Sequence, residues 1–301
     1  MKKRVISVFL ILAILASCLM VGCSNKDAQE QRMKGSKNVT INKNINSDYA
    51  IVMDITNNHV VFEKKAREKT KVASLVKIMT GIVVIENLKD LDKKIRLSPK
   101  VSSYLSNNGS GASHFQEGEN PTGRDLIYGM LFNSAAECCL ALAEEVSGSE
   151  PAFLKLMNNK AKELGMKDTT FGNTIGNDDP PCYTTVYDMA VLLKYALKNK
   201  TFKRVVTDST YTIDSTNLNK ESRTIENDTL ALFEGDLAGV IGGKIGNTEE
   251  AELCLATYAK VNGIEYIGIT SHAASTLINN NGHIDDARTL YNAIGASGQG
   301  K

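Results

Sequence analysis

The chain lacks an excess of charge of either sign. Its 301 residues carry 35 lysines and arginines against 34 aspartates and glutamates, which gives a formal net charge of +1. Proteins that bind nucleic acid through its phosphates usually present a marked basic surplus. The balanced composition therefore argues against a nucleic-acid partner, and we expect none.

Motifs that mark cofactor and metal sites are also missing. The chain has no glycine-rich dinucleotide fingerprint, no phosphate-binding loop and no paired Cys-x-x-Cys zinc pattern. The histidines are few and scattered instead of grouped at ligand spacing: His59, His114, His272 and His283. We therefore expect neither a bound metal nor a cofactor.

The first 22 residues have the pattern of a bacterial signal peptide. Basic residues 2–4 precede an apolar stretch, residues 5–16, of the length typical of a signal-peptide core. Cys18 and Cys23 each follow a small residue, as in the lipoprotein box whose cysteine is acylated. We favour Cys23 because polar residues follow it directly. A plain signal peptide or an uncleaved anchor is the alternative.

This pattern predicts three segments and a location. After the signal peptide, residues 23–47 are polar and have almost no apolar periodicity, which is typical of a flexible tether. Residues 48–301 are expected to form the folded domain. A lipid on Cys23 would hold that domain at the outer face of the cytoplasmic membrane.

The cysteines of the expected domain are predicted to be buried free thiols. An extracytoplasmic setting permits disulfides. However, Cys138 and Cys139 are adjacent, and Cys254 lies in a strand-like run. Burial as thiols is therefore favoured for these residues and for Cys182.

Hairpin patterns near both ends of the domain enclose a stretch of helical patterns. One hairpin joins residues 49–55 to 59–62, and the other joins residues 252–259 to 264–270 through Asn262-Gly263. Helix starts and an apolar helical stripe are indicated by Thr122 with Asp125, Ser149 with Pro151, Thr185 with Asp188, and residues 283–294. The predicted fold class is α+β, an antiparallel sheet built from both termini with a mostly helical insertion.

An apolar segment near the first hairpin contains a serine and a lysine three residues apart. Ser74 and Lys77 lie within residues 73–85, which are hydrophobic almost all round and predict a buried central helix. The spacing puts both side chains on one helical face. Burial lowers the pKa of a lysine, so Lys77 is a candidate general base for a nucleophilic Ser74. A helix N-cap serine beside a snorkelling lysine is the simpler alternative.

Two more motifs follow in an order that a known family shares. Ser-x-x-Lys, Ser-Asp-Asn and Lys-Thr-Gly mark penicillin-binding proteins and class A β-lactamases. This chain has Ser74-Leu-Val-Lys77, then Ser134-Ala-Ala136, then Lys244-Ile-Gly246. Over residues 48–295 it resembles the low-molecular-mass penicillin-binding proteins of the D-alanyl-D-alanine carboxypeptidase family. The resemblance implies a β-lactamase/transpeptidase-like fold.

The resemblance also implies acyl transfer and assigns its roles. Ser74 would attack the penultimate D-Ala carbonyl of a peptidoglycan stem peptide, and Lys77 would take the serine proton. Ser134 would relay a proton to the departing D-Ala, while Lys244 would attract the substrate carboxylate. Backbone N–H groups of Ser74 and Asn247 would form the oxyanion hole, and β-lactams would acylate the same serine.

Two positions of the predicted site depart from the family motifs. The substrate-binding stretch is expected to be Lys244, Ile245, Gly246 and Asn247. The resemblance places Ile245 where a hydroxyl normally bonds the carboxylate, and Ala136 where an asparagine normally holds the substrate backbone. Acylation of Ser74 stays chemically feasible, whereas turnover of a D-Ala-D-Ala end depends on what replaces these contacts.

Three hypotheses follow for the function. The first is a serine-type D-Ala-D-Ala carboxypeptidase, favoured by Ser74, Lys77 and their partners. The second is a catalytically impaired penicillin-binding or cell-wall-sensing protein on the same fold, favoured by Ala136 and Ile245. A β-lactamase is third, because it would need a glutamate to place the deacylating water, and residues 176–182 contain none.

Overall fold

A computed structural model describes residues 43–108, 114–233, 235–274 and 280–297. Within those residues, five strands form an antiparallel sheet in the order β2-β1-β7-β6-β5, and β3 pairs with β4 separately. Cys18 and Cys23, the predicted lipidation candidates, lie outside the described residues. The strand bounds are β1 Ser47–Asp54, β2 His59–Lys64, β3 Thr210–Ile213, β4 Arg223–Glu226, β5 Val240–Thr248, β6 Glu252–Val261 and β7 Ile264–Ala273.

Helices fill the middle of the chain and cover the sheet. A short 3-10 turn, Ala73–Val76, leads into the first α-helix. The helix bounds are α1 Lys77–Asn87, α2 Pro99–Asn108, α3 Gly123–Asn133, α4 Ala136–Ser147, α5 Glu150–Glu163, α6 Val186–Ala196, α7 Lys200–Thr207, α8 Asp228–Ala231 and α9 Gly282–Ser297. This arrangement confirms the predicted α+β class.

Both predicted hairpins form, and they join in one sheet because β1 pairs with β7. The turn between β6 and β7 is Asn262-Gly263, and both residues have positive φ, 51° and 81°. That geometry suits a tight hairpin turn whose twist matches the strands. The two ends of the domain thus meet at adjacent strands, as the sequence predicts.

The predicted helix starts are confirmed by side-chain caps. Thr122 and Asp125 form a reciprocal capping box at α3. Ser149 caps α5, which carries a proline in its first turn, and the Thr185 side chain accepts from the backbone N–H of Asp188 at α6. These caps satisfy N–H groups that have no partner inside the helix.

The core lies on both faces of the sheet. The larger cluster packs the helical layer against one face, with α1 at its centre: residues Lys77 through Val84 are all buried. A smaller cluster lies under α9 on the other face and includes Phe233, Leu255 and Tyr291. Because α1 is enclosed, its polar residues must find partners inside the protein.

The cysteine prediction is confirmed among the described residues: Cys138, Cys139, Cys182 and Cys254 are all free and buried. Burial raises the pKa of the Cys139 thiol to about 12, so it stays protonated and unreactive at neutral pH. No helix in the described ranges is long and apolar enough to cross a membrane.

Candidate active site

The predicted nucleophile and base are in direct contact. Ser74 lies in the 3-10 turn and Lys77 begins α1, where the sequence predicts a continuous α-helix. The Nζ of Lys77 is 3.0 Å from Ser74 Oγ. The N-cap positions are Val72 for the turn and Val76 for α1, and neither makes a side-chain cap. Ser74 is therefore not a helix cap, and the simpler alternative is wrong.

Lys77 is held in an apolar environment. Only 2% of the residue is exposed. Its Nζ also donates a hydrogen bond to the backbone carbonyl of Ile175, 98 residues away in sequence. Desolvation lowers the pKa of Lys77, while Cys139, Cys138 and Glu137 oppose that shift. A lowered pKa favours the neutral amine, which is the form that can accept a proton from Ser74.

A second serine–lysine pair lies beside the first. Ser134 ends α3 with a left-handed φ of 59°. Lys244, from β5, is 1% exposed and donates to Ser134 Oγ and, at 2.9 Å, to the Ile245 carbonyl. Burial, followed by repulsion from Lys77, lowers the pKa of Lys244 to about 7. Lys77 thus disfavours a proton on Lys244.

Strand β5 forms the wall of the site because a glycine lets it approach. A Cβ added at Gly246 would lie 2.9 Å from the Ser74 backbone N and 3.1 Å from Ala73 Cβ. Any side chain at this position would push the strand away from the nucleophile. Asn247 follows Gly246 and is exposed at the open edge of the sheet.

The two departures from the family motifs occupy different surroundings. Ala136 opens α4 and is buried. Ile245 is half-buried, and its side chain packs against the smaller cluster under α9. The Ile245 N–H donates to Thr229 Oγ1 at 3.1 Å. Ile245 therefore serves the packing of the edge strand, and its methyl groups offer nothing that could bond a carboxylate.

Sequence reasoning missed the loop that contacts the base. Residues 172–181 supply the Ile175 carbonyl to Lys77, and Asn173 binds several backbone groups of that loop. From the sequence, residues 176–182 show only that they lack the glutamate a β-lactamase would need. The available signal was a glycine, Gly176, three residues after an asparagine, a combination that favours a tight turn.

The predicted site residues of the folded domain lie in two contacting serine–lysine pairs and on the strand beside them. The pairs are Ser74 with Lys77 and Ser134 with Lys244, and β5 carries Lys244, Ile245, Gly246 and Asn247. A serine next to a buried amine, with a second serine–amine pair and an open strand edge, has the parts required for acyl transfer. The fold and the site together have the features of the serine acyl-transfer class.

Comparison with known proteins identifies the family. The D-alanyl-D-alanine carboxypeptidase family matches residues 35–275. The chain therefore belongs to the D-alanyl-D-alanine carboxypeptidase family, and the predicted resemblance is confirmed.

Individual relatives agree with this assignment. The chain is 33% identical over 230 residues to D-alanyl-D-alanine carboxypeptidase DacF of Bacillus subtilis, covering 75% of this chain and 57% of DacF. It is 32% identical over 219 residues to the D-alanyl-D-alanine carboxypeptidase of Streptomyces sp. K15, covering 69% and 74%. The chain thus spans little more than half of DacF but most of the Streptomyces protein.

Solved structures confirm the fold. The crystal structure of the Streptomyces K15 DD-transpeptidase matches with a TM-score of 0.76 and 27% identity, covering 85% of this chain and 98% of that one. A D-alanyl-D-alanine carboxypeptidase from Mycobacterium tuberculosis matches with a TM-score of 0.75 at 21% identity, which supports the fold alone.

Proposed function

We propose that this chain is a serine-type D-Ala-D-Ala carboxypeptidase that acts on peptidoglycan stem peptides through an acyl-enzyme on Ser74. The observation that carries the proposal is the 3.0 Å contact between Ser74 Oγ and the buried Nζ of Lys77. The relatives named above carry the same activity in their names. The family also supports action outside the cytoplasm, where peptidoglycan is found.

Acylation follows from the contacts at Ser74. As Ser74 Oγ bonds to the penultimate D-Ala carbonyl carbon, its proton passes to the neutral Nζ of Lys77. The carbonyl oxygen gains negative charge, which the N–H groups of Ser74 and Asn247 would stabilise. Asn247 lies two residues after Ile245, so its N–H has the same direction as the Ile245 N–H, toward the open edge of β5.

Departure of the terminal D-Ala requires a proton on its nitrogen. We propose that Ser134 Oγ supplies this proton. Lys244 donates a hydrogen bond to Ser134 Oγ and would then give it a proton in return. The C–N bond breaks, the acyl group stays on Ser74, and D-Ala leaves as the amine. The proton that Lys77 took from Ser74 replaces the one that Lys244 gave up, which leaves Lys77 neutral again. Water then attacks the ester and gives a proton to Lys77. Lys77 returns that proton to Ser74 Oγ as the ester bond breaks and the carboxylic acid leaves.

The second candidate is a penicillin-binding or wall-sensing protein with impaired turnover. It is favoured by Ala136 and by the apolar packing of Ile245. A hydrogen bond to a charged group contributes about 1.5–3 kcal/mol, and the loss of one corresponds to roughly 10- to 150-fold in rate. Without these contacts the protein would still be acylated by a reactive β-lactam while releasing D-Ala slowly.

Two measurements separate these functions. Intact-mass analysis after exposure to a penicillin should show one adduct on the wild-type chain and none on Ser74→Ala. Release of D-Ala from a peptide ending in D-Ala-D-Ala then distinguishes the carboxypeptidase from the impaired protein. An adduct of undiminished yield on Ser74→Ala would overturn both, since both place the nucleophile at Ser74.

A further inference from the structure

The loop of residues 172–181 contacts both members of the nucleophile–base pair. Its Ile175 carbonyl accepts a hydrogen bond from Lys77 Nζ. One residue later, Gly176 has a φ of +86°, and a Cβ there would lie 2.1 Å from the Ala73 carbonyl oxygen. The loop backbone therefore packs directly on the turn that presents Ser74. A shift of this loop would displace the base and the nucleophile together.

Asn173 holds this loop in shape from inside. Its Oδ1 accepts from three backbone N–H groups, those of Ile175 at 3.2 Å, Gly176 at 2.6 Å and Asn177 at 3.2 Å. Its Nδ2 donates to the carbonyls of Asn177 at 3.0 Å and Pro180 at 2.6 Å. The residue is 1% exposed. One side chain thus replaces the regular hydrogen bonding that a segment outside helices and strands lacks.

The Ile175 carbonyl matters because a neutral primary amine rotates freely about its last bond. The amine has two N–H donors and one lone pair, and only the lone pair can take the proton of Ser74. A fixed carbonyl that accepts one N–H restricts this rotation and leaves the lone pair free to face Ser74 Oγ. The same packing buries Nζ, which lowers the pKa of Lys77 and favours the neutral amine.

We propose that Asn173 is a positioning residue for acylation, which acts through the Ile175 carbonyl to orient the Lys77 amine toward Ser74 and through Gly176 to hold the Ser74 turn. This inference rests on the proposed function, because it assumes that Lys77 deprotonates Ser74. Asn173 itself touches neither substrate nor reacting atoms. It sets the geometry of the pair, and an error of about 1 Å in such geometry costs on the order of 10²-fold in rate.

The test compares Asn173→Ala with Asn158→Ala. Asn158 is a matched control because it also binds backbone groups, but those of the residue that precedes the loop. It bonds to the Phe171 carbonyl at 2.9 Å, the Phe171 N–H at 2.9 Å and the Leu154 carbonyl at 3.0 Å. None of those bonds reaches Ile175 or Gly176. The readouts are the second-order rate of Ser74 acylation by a fluorescent penicillin from pH 5 to 10, and the melting temperature.

We expect Asn173→Ala to acylate at least about tenfold more slowly and to shift the rising limb of the pH profile to higher pH. The shift follows because a loosened loop admits water to Nζ, which raises the pKa of Lys77. Asn158→Ala should lower the melting temperature and leave the rate and the limb unchanged. Asn173→Asp retains the three acceptor bonds but places a second oxygen against the Asn177 and Pro180 carbonyls, so its rate at the high-pH plateau should lie between those of Asn173→Ala and wild type.

Thr80→Val provides an independent route should Asn173→Ala fail to fold. The Thr80 hydroxyl, fully buried on α1, donates to the Thr174 carbonyl at 2.7 Å, next to Ile175. The Thr80→Val variant should also slow acylation and shift the rising limb of the pH profile to higher pH. A wild-type rate and profile in the folded variants, or an equal change in Asn158→Ala, would overturn the inference alone. Absence of acylation in the wild-type chain would instead overturn the proposed function.

Discussion

At the scale of single residues, the proposed mechanism depends on two buried amines with opposite tasks. Lys77 has to be neutral to accept the Ser74 proton, and burial lowers its pKa in that direction. Lys244 has to be charged to attract a carboxylate, yet its pKa is about 7. The two requirements overlap only over a limited range of pH, because burial lowers the pKa of both amines and Lys77 lowers that of Lys244 further.

We therefore predict a bell-shaped pH dependence for acylation by a penicillin. The rate should rise with pH as Lys77 loses its proton, and it should fall again as Lys244 loses its own. The falling limb should lie at or above about pH 7, because a bound carboxylate raises the pKa of Lys244. The check is the second-order acylation rate from pH 5 to 10. Lys244→Met should acylate more slowly and lack the falling limb. A falling limb of unchanged position in Lys244→Met would contradict the assignment.

Ile245 and Ala136 also act at this scale, because each removes one polar contact that the family motifs provide. Ile245→Thr restores a hydroxyl at the motif position where the family has one, and both residues are β-branched, so the strand backbone should accept the change. Ala136→Asn adds an amide at the start of α4. The double variant should raise kcat/KM on a D-Ala-D-Ala peptide by at least about tenfold, the low end for one charge-assisted bond.

Two outcomes would change that interpretation. If wild type and a well-folded double variant are both inert, the site is impaired beyond these positions, and the binding-protein function gains support. If wild type is efficient and the double variant is slower, Ile245 contacts an apolar part of a different substrate end. Because Ile245 packs on the smaller cluster, Ile245→Thr should also destabilise the fold by about 1 kcal/mol or more, measurable by urea unfolding.

At the scale of elements, the site is assembled where an edge strand, a 3-10 turn and a loop press against one another. Strand β5 approaches the turn at Gly246, and the loop approaches it from another direction at Gly176. Ser74 is thus fixed by backbone packing from two elements.

We predict that Gly246→Ala strongly reduces acylation. The new Cβ would lie 2.9 Å from the Ser74 N and 3.2 Å from the Val72 carbonyl, both backbone atoms, so the strand or the turn must move. Acylation should fall by about 10²-fold for a displacement near 1 Å. Gly295→Ala, in α9, is the control, because its Cβ would meet only Val261 Cγ1 at 3.5 Å. Equal activity of the two variants would show that the approach of β5 is not required.

At the scale of the whole molecule, the sheet connects the start of the folded domain to its end. At one end of the β1–β7 pairing, Ser47 lies opposite Ala273. Asp286 of α9 reinforces this junction, since its carboxylate accepts from the backbone N–H groups of Asn46 and Ser47, both at 2.7 Å. A segment that precedes residue 43 therefore joins the domain at a well-anchored point.

The lipid anchor is a prediction at this scale. If Cys23 is acylated, Cys23→Ser should release the protein from membranes or leave its signal peptide uncleaved. Fractionation with and without detergent, together with the mass of the mature N-terminus, measures this. Cys18→Ser is the matched control and should behave as wild type. Unchanged, detergent-requiring attachment of a processed Cys23→Ser protein would point to Cys18 or to another anchor.

The sequence by itself determined the features that depend on short spacing. Hairpins, helix caps and the Ser74–Lys77 pair are local, because turn chemistry and helical periodicity act over a few residues. The order of the three motifs then indicated the family and identified Ser134 and Lys244 as candidate site residues. The sequence predicts an α-helix from residue 73, whereas residues 73–76 form a 3-10 turn. Gly176 and Gly246 pack against this turn, and such long-range packing is not encoded in the local sequence.

Only the tertiary structure decided how these parts meet. The Ser134–Lys244 contact joins residues 110 positions apart, and the bond from Lys77 to the Ile175 carbonyl spans 98. A backbone carbonyl has no residue-type signature, so no sequence pattern could assign Ile175 to the base. The face on which Ile245 packs likewise depends on where α9 lies against the sheet. Burial, which lowers the pKa values of both amines, exists only once those distant segments enclose them.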